Sequence, residues 1–242
     1  MQTTDTLLEY LLDGQPNALR SELQRWLGSS RRYAAFAETH RDKIRKKIRL
    51  AQDAGAVEDL KWELEVAFLL IEDKRFTVSY EAYSRAQPFG PDFRVSYTTS
   101  FDFNVEVTRV RGAITSEDDI DDRAEREARR LAETACNKLH QLMPGMANVV
   151  AIGVPELAVD EAGFAAAMSA VRRGMEKGDP AVMSRMGFNS TPAFIKAYER
   201  LSAIIARSTD GKAAFLWRNP SAKSPLPAKA ITALRNCFIH PA

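Results

Sequence analysis

The chain opens with apolar residues at helical spacing. TDTLLEYLLDG and PNALRSELQRWLGSS each carry an apolar stripe, the first stopped by glycine and the second started by proline, and HRDKIRKKIRLAQDAG follows. A further helix is expected from about Val57 to Asp73, VEDLKWELEVAFLLIED, with Leu60, Leu64, Ala67, Leu70 and Ile71 on one side. The period then changes to two. RFTVSYEAY (75–83), DFRVSY and FDFNVEVTRV alternate as strands do, separated by Pro88, Gly90 and Pro91 and by a short polar break.

A long helix, SEDDIDDRAEREARRLAETACNKLHQLM, comes next, with Ser116 and Asp119 placed as a capping box and acidic residues in its first turn. NVVAIGV is a continuous apolar run, as in a strand covered on both faces. DEAGFAAAMSAVRRGMEKG reads as a helix, Pro192 to Arg207 as another, and KAAFLW as a last short strand. NPSAKSPLP then leads into a C-terminal helix. Consecutive strands imply antiparallel pairing, and a strand reached through a helix implies a parallel crossover. The expected class is α/β, a mixed central sheet flanked by helices. The expected organisation is an N-terminal helical extension over 1–55 and an α/β domain over 56–242 with a helical C-terminal elaboration.

Alternation sorts the strand side chains onto two faces. Phe93, Val95 and Tyr97 point one way, and Asp92, Arg94 and Ser96 the other. On the next strand Phe101, Phe103, Val105 and Val107 form an apolar face, opposite Asp102, Asn104, Glu106 and Thr108. If the two strands are neighbours, Asp92 and Glu106 converge. A solvated sheet face with a cross-strand Arg94–Glu106 pair would account for these residues taken alone. Glu63 changes the balance, because it lies on the apolar stripe of the preceding helix, three residues after Leu60 and four before Ala67. A carboxylate facing a core is costly unless it is paired, hydrogen-bonded or metal-bound.

WELEVAFLLIEDKRFTV, then GPDF, then FNVEVTRV resembles the PD-(D/E)XK nuclease superfamily, of restriction-endonuclease-like fold, over roughly residues 57–155. The family pattern is a helix with a glutamate, a strand, a Pro-Asp step, and a strand carrying (D/E)-x-K. Here these are Glu63, Pro91-Asp92 and Glu106, with Thr108 in place of the lysine. The resemblance implies phosphodiester hydrolysis of DNA or RNA. It implies Mg²⁺ or Mn²⁺ held by Asp92, Glu106 and the backbone carbonyl of Val107, with Glu63 as an accessory acid. Asp102 and Asn104 lie on the same face, further from this centre.

Thr108 supplies no positive charge. Arg94 could supply it from the adjacent strand, or Arg109 or Arg111 if a bulge rotates the strand, since strict alternation turns both away. Alternatively the fold has lost catalysis and serves as a nucleic-acid-binding or scaffold module. Enzyme activity is therefore left open by the sequence.

Composition adds boundaries. With 45% hydrophobic and 27% charged residues the chain reads as an ordinary globular protein, and a net charge of +2 neither demands nor excludes a polyanionic partner. No apolar run approaches the ~20 residues that span a bilayer, so no membrane partner is expected. The N-terminus lacks a signal-peptide pattern, and Cys136 and Cys237 form no C-x-x-C pair; both point to the cytoplasm and away from structural zinc. The basic run Arg41, Lys43, Arg45, Lys46, Lys47 and Arg49 spreads over two sides of a helix, as a solvated face does. The acidic run at 117–122 lacks the glycine of a calcium loop, and His40, His140 and His240 are scattered. No nucleophile elbow, P-loop or dinucleotide fingerprint is present.

Overall fold

The computed structural model describes residues 4–14, 17–81, 90–111 and 120–240. Four short helices come first: α1 (Thr4–Leu12), α2 (Arg20–Ser29), α3 (Arg31–Thr39) and α4 (Arg41–Leu50). The long α5 (Ala54–Glu72) leads into β1 (Phe76–Tyr80), β2 (Phe93–Tyr97) and β3 (Phe101–Arg109). Next come α6 (Ile120–Lys138), prolonged by a 3₁₀ turn at Leu139–Gln141, and β4 (Ala147–Val154). Then follow α7 (Glu161–Glu176), α8 (Pro180–Arg185), α9 (Thr191–Tyr198), β5 (Leu201–Ser208), β6 (Ala214–Arg218) and α10 (Ala228–Phe238). The expected capping box at Ser116 and Asp119, and the end of the expected strand beyond Glu81, lie outside the described residues.

The six strands form one sheet in the order β1-β2-β3-β4-β5-β6. β1, β2 and β3 pair antiparallel, β3, β4 and β5 pair parallel, and β6 returns antiparallel to β5. The class is α/β with a mixed sheet between helices. One face carries Phe93, Val95, Phe103, Val105, Val149, Ala151, Ala203 and Ile205, and packs on α5, α10 and the four N-terminal helices as one continuous core. The other carries Val150, Ile152, Ile204 and Ala206 under α6, α7 and α9.

The segment Pro192 to Arg207 is not one helix. α9 is capped by Ser190, whose side chain accepts the Ala193 N–H, and it ends at Tyr198; β5 begins three residues later. All eight residues of β5 are buried, because it lies between β4 and β6 with helices on both faces. A strand covered on both sides shows no polar alternation. The apolar spacing of Leu201, Ile204, Ile205 and Ala206 therefore imitates a helical stripe.

Two contacts set the depth of α5. Asp53 caps it by accepting the Ala56 N–H at 2.8 Å. Trp62 lies flat against β4, donating its indole N–H to the Ala151 carbonyl at 3.3 Å. A Cβ on Gly153 would come within 2.8 Å of that ring, so glycine is required for this approach. The next residue along α5 is Glu63.

Candidate functional site

The β2–β3 ladder ends at the Phe93–Val105 pair. Asp92 stands one residue beyond it, and its Oδ2 accepts the Val107 N–H at 2.8 Å, replacing the strand partner that β2 no longer offers. Glu106 points to the sheet face covered by α6 and is only 4% exposed. Lys138, the last residue of α6, donates its ammonium to Glu106 Oε1 at 2.8 Å and to Gln141 Oε1 at 3.2 Å. Glu63 approaches from α5. Its Oε1 accepts from Lys47 Nζ of α4 at 2.6 Å and from the Tyr80 hydroxyl at the end of β1 at 2.6 Å. Lys47 also meets Glu81 at 3.0 Å and lies 4.9 Å from the centre of the Tyr80 ring.

These groups sense one another. Burial, then repulsion from Glu106 and Glu63, pushes the Asp92 carboxyl up to about 8, against the opposing pull of the Val107 N–H and Lys47. Burial also raises Glu106; the Lys138 ammonium opposes the rise, and Glu63 adds to it. Lys47 loses solvation, but Glu63, Asp92 and Glu81 more than compensate and raise it. Tyr80 is held well above the ordinary phenol value by burial and by Glu63, so it remains a donor to that carboxylate. The centre thus holds four carboxylates, Glu63, Glu81, Asp92 and Glu106, and two ammonium groups, and the charge of Glu106 acts directly on Asp92.

The remaining candidates fall elsewhere. Arg94 donates to Asp102 Oδ2 at 2.5 and 3.2 Å, and Asp102 Oδ1 accepts from Ser96 at 2.6 Å. Arg109 and Arg111 both bind Asp59 near the start of α5, on the other face of the sheet. Thr108 is half-buried on β3, and the Val107 side chain belongs to the core beneath α5. Asn104 is fully buried and donates to Asn148 Oδ1 at 3.1 Å. In the basic run of α4, Arg45 and Arg49 pair with Asp13, Arg41 with Glu38, and Lys43 with Glu81, while Lys47 turns inward to the site.

Sequence reasoning missed Lys47, Tyr80 and Lys138. The signal that flagged Glu63 was available for Lys138 too: it stands seven residues after Leu131 and three after Ala135, both fully buried on α6. An ionisable group on an apolar stripe needs a partner, and Glu106 is that partner.

The donor set is oxygen-rich and suits a hard cation. Among the described residues, no three His, Cys, Asp or Glu side chains are grouped as a ready-made metal site. Any ion would rest on Asp92 and Glu106, with the balance of its ligands from backbone oxygen or water. No helix among the described residues is long and apolar enough to cross a membrane. The chain matches no protein-family model, no curated protein and no solved structure.

Proposed function

We propose that the Asp92–Glu106 centre binds Mg²⁺ or Mn²⁺ and hydrolyses phosphodiester bonds of DNA or RNA, on a frame of restriction-endonuclease-like type. The observation that supports this reading best is the pair of buried, mutually repelling carboxylates at the parting of β2 and β3. Asp92 is pushed up to about 8 by burial and by its neighbours. A divalent cation between two such groups would displace the retained proton and relieve the repulsion. Asp92, Glu106 and the Val107 carbonyl would hold it, and Glu63, fixed by Tyr80 and Lys47, would orient the waters around it. The cation would acidify a bound water and polarise the phosphate.

Lys138 answers the absence of a lysine at Thr108. Its ammonium is the cation in hydrogen-bond contact with Glu106, at 2.8 Å, and it reaches the centre from α6 rather than from β3. It would offset the charge that builds on the phosphate in the transition state. Lys47 provides a second positive charge beside Glu63 and Asp92.

The same ion pairs favour a second reading. Lys138 on Glu106 and Lys47 on Glu63 neutralise two of the acids within the protein itself. In that case the fold binds nucleic acid without cutting it. Cleavage of single- and double-stranded DNA and RNA with Mg²⁺ or Mn²⁺, by wild type, Asp92→Asn and Lys138→Met, separates the two. Under the leading reading wild type cuts at least one substrate and each variant is slower by ~100-fold or more. A folded wild type that binds but never cuts supports the second reading. Cutting that survives Asp92→Asn puts the chemistry elsewhere.

A further inference from the structure

A second polar region lies on the opposite edge of α5. There a cleft of about 900 Å³ opens between α2, α5, the β5–β6 turn and the end of α10. Its volume falls in the ~300–1,000 Å³ range of small-molecule sites. Most charges on its wall are paired internally: Lys61 meets Glu22 at 2.7 Å, Arg75 binds Asp73, and Asp210 meets Lys212 at 2.9 Å.

Among the wall charges outside these pairs, Arg25 and Glu72 are exposed to solvent, and two others are not. Arg207 follows Ala203 and Ile205 on the core face of β5 and is 6% exposed. One guanidinium nitrogen donates to the Phe238 carbonyl at the end of α10, while its Nε is buried with no hydrogen-bond partner. Gly211, at φ +76°, lets the turn lie against this guanidinium; a Cβ there would come within 2.7 Å of Nη2. Glu65, half-buried on α5, is the other. Among the described residues neither has an oppositely charged group within 4 Å, although each acts electrostatically on the other, Arg25 and Lys61 act more weakly on Glu65, and Asp210 on Arg207. Burial raises Glu65 and lowers Arg207, so each is penalised in its charged form.

A buried charge without a counter-ion costs folding free energy. Here an acid and a base face one cleft without direct contact between them. A ligand presenting an anionic and a cationic group together satisfies both. The half-buried Phe68 and the apolar Leu69 line the same cleft and offer surface to a hydrophobic substituent.

We propose that this cleft binds a small zwitterion with an apolar body, of the class of free α-amino acids with hydrophobic side chains. The carboxylate lies on Arg207, the ammonium on Glu65 and the side chain against Phe68. Arginine–carboxylate contacts of this kind are among the stronger hydrogen-bonded pairs. The site is independent of the carboxylate centre around Asp92, and either can fail without the other.

The test is calorimetric titration of the full chain with L-phenylalanine, 2-phenylethylamine and 3-phenylpropionate, which share one ring and differ in charge. The expected result is binding of phenylalanine, with each single-charge analogue weaker by about tenfold or more. Glu65→Gln, which keeps shape and leaves the α10 contact alone, should weaken phenylalanine by a similar factor, and Arg207→Lys likewise. Phenylpropionate binding as tightly as phenylalanine, or no effect of Glu65→Gln, would overturn the proposal in favour of a plain anion site. Absence of binding by all three compounds to the folded protein would overturn it outright.

Discussion

Asn104 and Glu106 stand two residues apart on the same face of β3, both buried, and their surroundings differ in kind. Asn104 donates to Asn148, whose own amide donates to the carbonyls of Met143, Met146 and Arg200, while its oxygen also accepts the Met143 N–H. The Asn148 N–H in turn meets Ser202 Oγ at 2.9 Å. This seam ties β3, β4 and β5 together with neutral groups that satisfy one another. Glu106 lies instead beside Asp92, with Glu63 near, and the two lysines, one of them shared with Glu81, do not match the acids in number. Satisfied polar burial fixes strand register. Polar burial left in conflict stores a demand for something external, here a proton or a cation.

The largest expected effect comes from breaking the seam. Asn148→Ala strips an acceptor from the buried Asn104 and a donor from three half-buried carbonyls. It should cost about 4 kcal/mol in urea denaturation, at ~1–3 kcal/mol per stranded group with partial rescue by water. Divalent metal should neither cause nor cure that loss. Lys138→Met leaves Glu106 buried beside two other acids, and about 3 kcal/mol should be lost at pH 8. The loss should shrink in acid, where Glu106, already raised above its ordinary range, takes up a proton.

Asp92→Asn should act in the opposite direction. Between its ordinary value of 3.8 and about 8, the folded chain keeps a proton on Asp92 that the unfolded chain has released. Folding stability of the wild type therefore falls as pH rises through that window, by at most ~1.4 kcal/mol per unit. Without divalent metal, Asp92→Asn should match the wild type below pH 4 and exceed it by a growing margin as pH rises to 8, since its amide still accepts the Val107 N–H. A variant less stable than wild type at pH 8 would mean that Asp92 is structural in the manner of Asn148. The smallest effect belongs to Thr108→Val, within ~0.5 kcal/mol in stability and without change in cleavage. If Thr108→Val abolishes cleavage while Lys138→Met does not, the roles assigned to the two are reversed.

Much of this contrast was written in the alternation of β2 and β3. It separated Phe103, Val105 and Val107 from Asn104 and Glu106 correctly, because each strand has one face in an apolar core. Glu63 was legible as an acid on an apolar stripe. β5 was not, since burial on both faces erased the two-residue period and joined its sequence to that of α9. The partners of Lys47 and Lys138 were hidden for another reason. Each ion pair joins residues far apart in sequence, 16 for Lys47 with Glu63 and 32 for Lys138 with Glu106, and no local pattern encodes which side chains meet. Lys47 was further masked by five other basic residues on α4, whose partners are Asp13, Glu38 and Glu81 where such pairs form.

Calorimetric titration of Mn²⁺ and Mg²⁺ into the full chain at pH 8, repeated in buffers of different ionisation enthalpy, tests the central claim most directly. The account predicts that wild type binds metal with net release of a proton, that Asp92→Asn abolishes this binding, and that Thr108→Val leaves it intact. Absence of metal binding by folded wild type, or equal binding by Asp92→Asn, would contradict it.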